Sequence, residues 1–292
     1  MMKKLPLKRA QVLERSRAMR SFPRIIAEIL ATIDDPDGSV RTLAQCIEHD
    51  PIITARVLSA ANRASERGRR ESGLIDIYAA TSLIGMSRVR EIALISSLNG
   101  FIGAGDQDPH SQRLWQHCVS VGVCSQELAL NVAPPVCTDT ALVAGLLHDI
   151  GQFWFYSFDA PAYQACWAES LSRSRSIEEV EREHFGADHS TVGAWLAQDW
   201  ELPTEICSAI QGHHAPLPDS VSPLVDLVHI AEVLSNALNL SGGDENRVSF
   251  LSSASCERLG LVWDEGAQAL FGRIEARSQH ANNFFSGHAA KT

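Results

Sequence analysis

The stretch LVAGLLHDIGQ, residues Leu142–Gln152, joins an apolar run to two adjacent ionisable side chains. An uninterrupted apolar run leads directly into His148 and Asp149, which places both side chains at the end of a buried helix. Burying an ionised carboxylate without a partner is very unfavourable, so Asp149 needs a nearby cation or several hydrogen-bond donors. The sequence therefore predicts that polar side chains from elsewhere in the chain converge on this helix end.

Histidines are the candidate partners of Asp149, because seven of the 11 histidines lie between residues 117 and 229. Two of them, His213 and His214, follow Gly212 just past a predicted helix end, where the backbone can direct both rings to one place. Each residue alone would be an ordinary packed or exposed side chain, but imidazoles and carboxylates that converge from different helices are typical of a metal site. The candidate metal ligands are His117, His148, Asp149, His189, His213, His214 and Glu232.

Most of the remaining sequence has the periodicity of α-helices. Apolar residues recur at helical spacing, as in the segment Ile25–Ile33, and hardly any stretch alternates with a period of two. Signals for helix starts recur as well, such as Asp50-Pro51 and the capping box formed by Ser176 and Glu179. We therefore predict an all-α protein.

The segment Gly100–Ser111 is rich in Gly and Asp and marks a predicted boundary between two helical domains. Residues 1–105 form the predicted N-terminal helical domain, which includes a basic N-terminal segment. Residues 106–278 form the second helical domain, and residues 279–292 are expected to be a flexible tail.

Charge and composition exclude several classes of protein. The net charge of the 292 residues is −10, and because residues 1–24 carry +7, the rest of the chain carries −17. The acidic residues after position 24 repel nucleic-acid phosphates, although the basic N-terminal segment could contact an anionic partner. The chain has no apolar run long enough to span a membrane and no apolar core of a signal peptide. Its seven cysteines include no Cys-x-x-Cys pair, so we expect reduced thiols and a cytoplasmic protein without membrane contacts.

The chain resembles the HDOD proteins, a branch of the HD superfamily found in bacterial signalling, over roughly residues 20–240. In the first half the resemblance rests on FPRIIAEIL (Phe22–Leu30), CIEHDPIITARVLSAAN (Cys46–Asn62) and IYAATSLIGMSRVREIAL (Ile77–Leu94). In the second half it rests on LWQHC (Leu114–Cys118), GLLHDIG (Gly145–Gly151), FGADHSTVGAWLAQDWELP (Phe185–Pro203) and AIQGHH (Ala209–His214). The resemblance implies an all-α fold whose second domain is an HD-like helical bundle.

The resemblance also implies a role for each candidate ligand. Catalytic HD proteins hold one or two metal ions with His and Asp residues, and the ions activate a water that attacks a phosphoester. His148 and Asp149 match the pair that names the superfamily, and Glu232 stands where those enzymes usually have an aspartate. His117 matches the histidine of the preceding helix, His189 the histidine four residues before a glycine, and His213 and His214 the paired histidines. The implied cofactor is a divalent transition metal, Fe, Mn, Ni or Zn, and Asp149 is the candidate catalytic residue.

Three features depart from the relatives that cleave cyclic di-GMP. Gln152 replaces the lysine of their His-Asp-Ile-Gly-Lys motif, which removes a cation that could stabilise phosphate charge. Arg113 replaces an additional glutamate one turn before His117, and the Gly-Tyr-Pro motif after the paired histidines is absent. Arg113 and Gln152 are candidate contacts for a phosphate or other ligand, although for Arg113 we favour an ion pair with a surface carboxylate. His229 could support the ligands, but we expect an exposed histidine at this position.

Three interpretations of function stay open. The favoured one is a bacterial signal-transduction module that keeps a helical pocket and acts through a signalling protein or a small nucleotide-like ligand. The second is a metal-dependent phosphohydrolase acting on a nucleotide or other phosphoester, so the sequence leaves catalytic activity undecided. The third, a nucleic-acid-binding regulator that uses residues 1–24, is disfavoured by the acidity of the rest of the chain.

Overall fold

The computed structural model describes residues 6–16, 27–32, 40–48, 50–66, 76–102, 109–216, 222–242 and 250–286. Every regular element in these ranges is a helix, which confirms the predicted all-α class. None of the helices in the described ranges is both long and apolar enough to cross a membrane. Residues 27–32 are helical. The helices with defined bounds are α1 (Arg9–Ser16), α2 (Val40–Glu48), α3 (Pro51–Glu66), α4 (Ile77–Ile84), α5 (Met86–Ile102), α6 (Pro109–Ala129), α7 (Thr138–Leu147), α8 (Ile150–Arg173), α9 (Ile177–Phe185), α10 (His189–Asp199), α11 (Thr204–Gly212), α12 (Pro223–Ala237), α13 (Ser253–Arg258) and α14 (Glu265–Ser286).

The chain divides into two compact units. The smaller unit is Met19–Gly105 and contains α2 to α5. Its core is made of fully buried aliphatic side chains from three of these helices, among them Leu43, Val57 and Ile92. Asp50 accepts hydrogen bonds from the backbone N–H groups of Ile52 and Ile53, so the predicted N-cap of α3 is present.

The larger unit combines Met1–Ala18 with Asp106–Thr292. Its centre is the packing of α6 against α7, where apolar side chains such as Val119, Val123 and Leu142 are completely buried. The helices α12 and α14 pack on α6, α12 and α11 also contact α7, and α10 lies between α8 and α11. The helix α7 ends at Leu147 and α8 begins at Ile150, so His148 and Asp149 form the corner between two buried helices.

The division of the chain differs from the predicted domains at its N-terminal end. The residues before Met19 belong to the larger unit, although they precede the smaller unit in sequence. The backbone N–H of Leu7 donates to the carbonyl of Phe185 over 2.7 Å, and Val12 is fully buried where α1 packs on α10. Local sequence patterns do not reveal such a long-range contact, so the prediction grouped this segment with its sequence neighbours.

The C-terminal end also differs from the prediction, because α14 continues through the expected start of the tail to Ser286. Ala281 on this helix is fully buried, and Asn282 donates to the hydroxyl of Ser120 over 3.2 Å. The last part of the predicted tail, residues 287–292, and half of the predicted boundary segment, residues 103–108, lie outside the described residues.

The close approach of α8 and α10 depends on Gly151. A Cβ atom at this position would lie 2.0 Å from the carbonyl oxygen of His189 and 2.9 Å from the backbone nitrogen of Gly193. Both contacts are with backbone, which cannot rotate away as a flexible side chain does. The absence of a side chain at Gly151 therefore lets α8, which starts at Ile150, touch α10, which starts at His189.

We expect Gly151→Ala to destabilise the protein by at least about 2 kcal/mol, because the added methyl group forces the two helices apart. The measurement is urea unfolding followed by far-ultraviolet circular dichroism. The control is Gly272→Ala on α14, where a Cβ atom meets no atom within 4 Å. Alanine there should leave stability within about 1 kcal/mol of the wild type. Equal unfolding midpoints for the two variants would contradict the proposed close-contact role of Gly151.

Candidate metal centre

Asp149 lies at the centre of the candidate site and is only 2% exposed. Its Oδ2 atom is 3.3 Å from Nε2 of His148 and 3.7 Å from Nε2 of His117. Its Oδ1 atom is 3.2 Å from Nε2 of His189 and 3.7 Å from Nε2 of His213. Four imidazoles from different helices therefore surround one buried carboxylate, as the sequence of the helix corner predicted.

The backbone fixes the orientation of two of these rings. Nδ1 of His148 donates to the carbonyl of Gly145 over 2.8 Å, and Nδ1 of His213 donates to the carbonyl of Ile210 over 2.7 Å. Each ring must then present an unprotonated Nε2 when neutral, and both Nε2 atoms point towards Asp149. These two nitrogens and Oδ1 of Asp149 are buried and have no hydrogen-bond partner within the described part of the chain.

Buried polar atoms without partners are unfavourable, so their convergence indicates that a further group is needed among them. Imidazole nitrogens with carboxylate oxygens suit a divalent transition metal. The potential ligand atoms fall into two groups, and within each group all of them lie within 4.8 Å of one another. The first group is Asp149, His189, His213 and His214, and the second is His117, His148 and Glu232.

The structure thus brings together all seven residues that the sequence suggested, and the donor set fits a metal ion. Each ligand role stays a prediction. Glu232 comes closest to the paired histidines, with Oε2 3.9 Å from Nε2 of His213 and Oε1 3.6 Å from Nδ1 of His214. The side chain of Glu232 therefore reaches the cluster, although it is one methylene longer than an aspartate.

Behind His189 lies a buried acid that the sequence analysis missed. Glu181 is completely buried, and its Oε2 accepts hydrogen bonds from the backbone N–H of His189 over 2.8 Å and from Nδ1 of the same residue over 2.7 Å. The hydroxyl of Tyr163 donates to Oε1 over 2.6 Å. A carboxylate behind a ligating histidine fixes the orientation of the ring and increases its basicity. Glu181 therefore directs Nε2 of His189 towards the centre.

His229 also supports the centre, and the expectation of an exposed histidine at this position is wrong. Its ring is only 1% exposed, and its Nδ1 donates to the backbone carbonyl of His213 over 2.7 Å. Its Nε2 accepts from the backbone N–H of Ser252 over 3.2 Å. The ring thereby ties the segment that carries the paired histidines to the chain after α12.

The electrostatics keep most donors in their ligand forms. Burial lowers the pKa of His117 to about 4 and the pKa values of His213 and His214 well below their usual range, which favours neutral imidazoles. Burial opposes ionisation of Asp149, but His148 and His189 outweigh it and hold the pKa of the carboxyl well below its usual range.

His148 and His189 have pKa values shifted in the opposite direction. Burial disfavours their charged forms, but Asp149 outweighs burial at His148, and Glu181 together with Asp149 outweighs it at His189, so both pKa values rise. Burial raises the pKa of Glu232 to about 8. A cation that binds here must displace these protons, so metal binding should be coupled to proton release.

The cluster forms one wall of a cavity of about 300 Å³. Arg113 lines this cavity, is exposed, and makes no ion pair with another described residue, so the alternative of a surface salt bridge is not observed. Gln152 also lines the cavity. Its side-chain amide donates a hydrogen bond to Oδ2 of Asp149 over 2.7 Å, so this N–H is engaged by the carboxylate and not by a ligand. The apolar part of the lining consists of Leu114, Tyr156, Trp167, Leu171 and Ile177. The other lining residues are polar or charged and include Glu178 and Asn236.

We expect Glu181→Gln to weaken metal binding by about 10- to 100-fold, because a neutral amide supports the His189 ring less well than a carboxylate. Competition with a chromophoric chelator measures the affinity. The matched control is Glu183→Gln on the same helix, where the carboxylate is exposed and pairs with Arg175. An unchanged affinity in Glu181→Gln would show that His189 does not depend on Glu181 for metal binding.

Comparison with known proteins agrees with this architecture. A solved HDOD domain protein of unknown function from Geobacter sulfurreducens superposes with a TM-score of 0.73 at 21% identity, covering 94% of this chain and 97% of that one. A candidate signal transduction protein from Marinobacter aquaeolei VT8 has a TM-score of 0.75 at 19% identity, covering 100% and 63%. A candidate phosphohydrolase from Shewanella amazonensis SB2B has a TM-score of 0.67 at 24% identity, covering 96% and 98%. These likenesses show the fold.

A curated relative, an uncharacterised protein from Treponema pallidum (strain Nichols), is 25% identical over 234 residues, which is 77% of this chain. The alignment covers 43% of that protein, so this chain spans less than half the length of the curated relative. The model of the HDOD domain family matches residues 19–216, which is more than half of the sequence. This chain therefore belongs to the HDOD family.

Proposed function

We propose that this protein is a regulatory protein of bacterial signal transduction whose metal-holding cavity binds a small phosphorylated ligand. The observation that carries this proposal is the cavity of about 300 Å³, which joins the histidine cluster to the exposed guanidinium of Arg113. Ligand pockets in proteins range from about 300 to 1,000 Å³, so this volume suits a small ligand.

Each side of the cavity contributes to recognition of such a ligand. Arg113 supplies a fixed positive charge and a planar set of donors that match phosphate geometry. The apolar walls, with Trp167 and Tyr156, provide surfaces for a planar ring. A bound metal ion would supply a second positive charge for a phosphate oxygen. Together these groups support a nucleotide-like ligand rather than a purely apolar one.

The residues around Asp149 favour binding over hydrolysis. Gln152 holds Oδ2 of Asp149 through a neutral amide and adds no charge to the cavity. A lysine at this position could stabilise the charge that develops on a phosphate during cleavage. The ligand would therefore stay bound without being cleaved. Binding of the ligand would change the surface of the protein, and a signalling partner would recognise that change. The acidity of the chain disfavours nucleic acid as that partner.

A metal-dependent phosphohydrolase is the second candidate function. The complete donor set favours it, because both groups of ligand atoms retain imidazoles and a carboxylate. In such an enzyme the metal would activate a water for attack on a phosphoester. Asp149 would hold the metal and orient the groups around it, which is why it is the candidate catalytic residue.

The metal-holding part of the proposal predicts that protein purified without a His tag or chelator contains at least one divalent transition metal ion per chain. Asp149→Asn should reduce the content to background, because the central carboxylate loses its charge and one acceptor oxygen. The matched control Asp199→Asn changes an exposed aspartate on α10 and should retain the metal. Elemental analysis by mass spectrometry provides the measurement. Equal metal content in the wild type and Asp149→Asn would contradict a centre built on Asp149.

For catalysis, we expect little or no hydrolysis of cyclic di-GMP in the presence of added Mn²⁺, Fe²⁺ or Zn²⁺. Removing one charge-stabilising group commonly lowers a rate by about 10²- to 10³-fold, and this chain departs from the active pattern in three features. Chromatographic detection of the linear product measures turnover. Robust turnover that disappears in Asp149→Asn would establish the second candidate function instead of the first.

A further inference from the structure

Cys118 brings a sulfur atom to the candidate metal centre. It follows His117 on α6, and its side chain is completely buried. Ligand atoms of Cys118, His148 and Asp149 all lie within 4.8 Å of one another. Cys118 is therefore packed directly against the helix corner that carries the two central candidate ligands.

The geometry of α6 explains why His117 and Cys118 approach the centre differently. Successive residues of an α-helix point about 100° apart. His117 lines the cavity, whereas Cys118 is fully buried and is absent from the cavity wall. The imidazole thus faces the side from which a ligand enters, and the sulfur faces the interior of the protein.

The two neighbours of Cys118 provide independent support for a bound ion at this position. Nε2 of His148 and Oδ1 of Asp149 are buried atoms without a hydrogen-bond partner in the described part of the chain. A buried thiol could fill space as a small apolar residue, as Cys124 does further along α6. Cys118 differs from Cys124 because it lies beside an imidazole and a carboxylate whose donor atoms lack partners.

We propose that Cys118 is a thiolate ligand of the ion held by His148 and Asp149, which makes this centre a mixed nitrogen, oxygen and sulfur site. The inference rests on the proposed metal-holding function and specifies it further. Thiolates favour Zn²⁺ and iron, whereas Mg²⁺ and Mn²⁺ favour oxygen ligands. The sulfur therefore selects Zn²⁺ or Fe²⁺ over Mn²⁺ at this position.

Ligation by Cys118 has a defined proton balance. The thiol loses its proton when the bond between sulfur and metal forms, and the proton passes to the solvent. The wild-type protein should therefore release one more proton per bound ion than a variant with serine at residue 118. Calorimetric titration in buffers with different ionisation enthalpies measures this difference.

The direct test uses the full-length protein, stripped with a chelator and loaded with Co²⁺ as a spectroscopic probe. A Co²⁺–thiolate bond produces a charge-transfer absorption in the near ultraviolet that imidazole and carboxylate ligands do not produce. We expect this absorption in the wild type and its loss in Cys118→Ser at equal Co²⁺ content. Cys124→Ser is the matched control on the same helix and should retain it. Competition between Zn²⁺ and Mn²⁺ should shift towards Mn²⁺ only in Cys118→Ser.

Two results would overturn the inference, and they can be told apart. If wild-type protein binds Co²⁺ with ligand-field absorption but no thiolate band, or if the band persists in Cys118→Ser, Cys118 is not a ligand while the metal centre stands. If wild-type protein binds no Co²⁺ and no Zn²⁺, the proposed metal-holding function fails as well. Should Cys118→Ser not fold, Cys118→Ala removes the sulfur without introducing a hydroxyl group and serves in the same comparison.

Discussion

The burial of Asp149 is the constraint on which the larger unit depends. A carboxylate that is 2% exposed needs donors or cations on all sides, and here four imidazoles and the amide of Gln152 surround it. Those groups come from α6, α8 and α10 and from the segments that follow α7 and α11. The packing of the helices and the chemistry of the site therefore have one origin, because the helices must meet where the carboxylate is.

The sequence predicted the helical class and the residues around Asp149, but for different physical reasons. Helix periodicity is a local property, so the all-α class could be inferred from short segments such as Ile25–Ile33. The convergence of the histidines is not local, and it was inferred from the unfavourable burial of Asp149 together with the family resemblance. The domain division failed at α1 because the contact between Leu7 and Phe185 spans almost 180 residues.

The burial of Glu181 has a signal in the sequence. In the segment IEEVEREHF, residues 177–185, several glutamates resemble an ordinary solvated face. However, Ile177, Val180 and Phe185 occupy the buried stripe at helical spacing, and Glu181 falls on the same stripe. An acid on an apolar stripe implies a buried partner, just as Asp149 does at the end of α7. The same argument would have identified both carboxylates.

Gly212 precedes the paired histidines at a helix end, where a sequence pattern favours a glycine that terminates the helix. A glycine after a helix often adopts a left-handed conformation, yet here α11 ends at Gly212 and the following residue, His213, keeps right-handed helical angles. A Cβ atom at Gly212 would instead lie 2.9 Å from a methyl group of Val225. The glycine is needed because α12 packs tightly on α11, and sequence patterns cannot distinguish close packing from a turn.

The family match ends at residue 216, but the helix α12, which follows it, also contributes to the site. Its packing on α11 brings its side chains next to the paired histidines. The helix α12 contributes Glu232 to the ligand groups and His229 to the support of His213. Its first turn is fixed by Asp226, whose two oxygens accept hydrogen bonds from the guanidinium of Arg258 over 2.8 and 2.6 Å. Because His229 also binds the backbone of Ser252, the segment around α13 is tied to the paired histidines through two links on one helix. The histidine cluster is therefore held from both sides, by Glu181 behind His189 and by α12 behind His213.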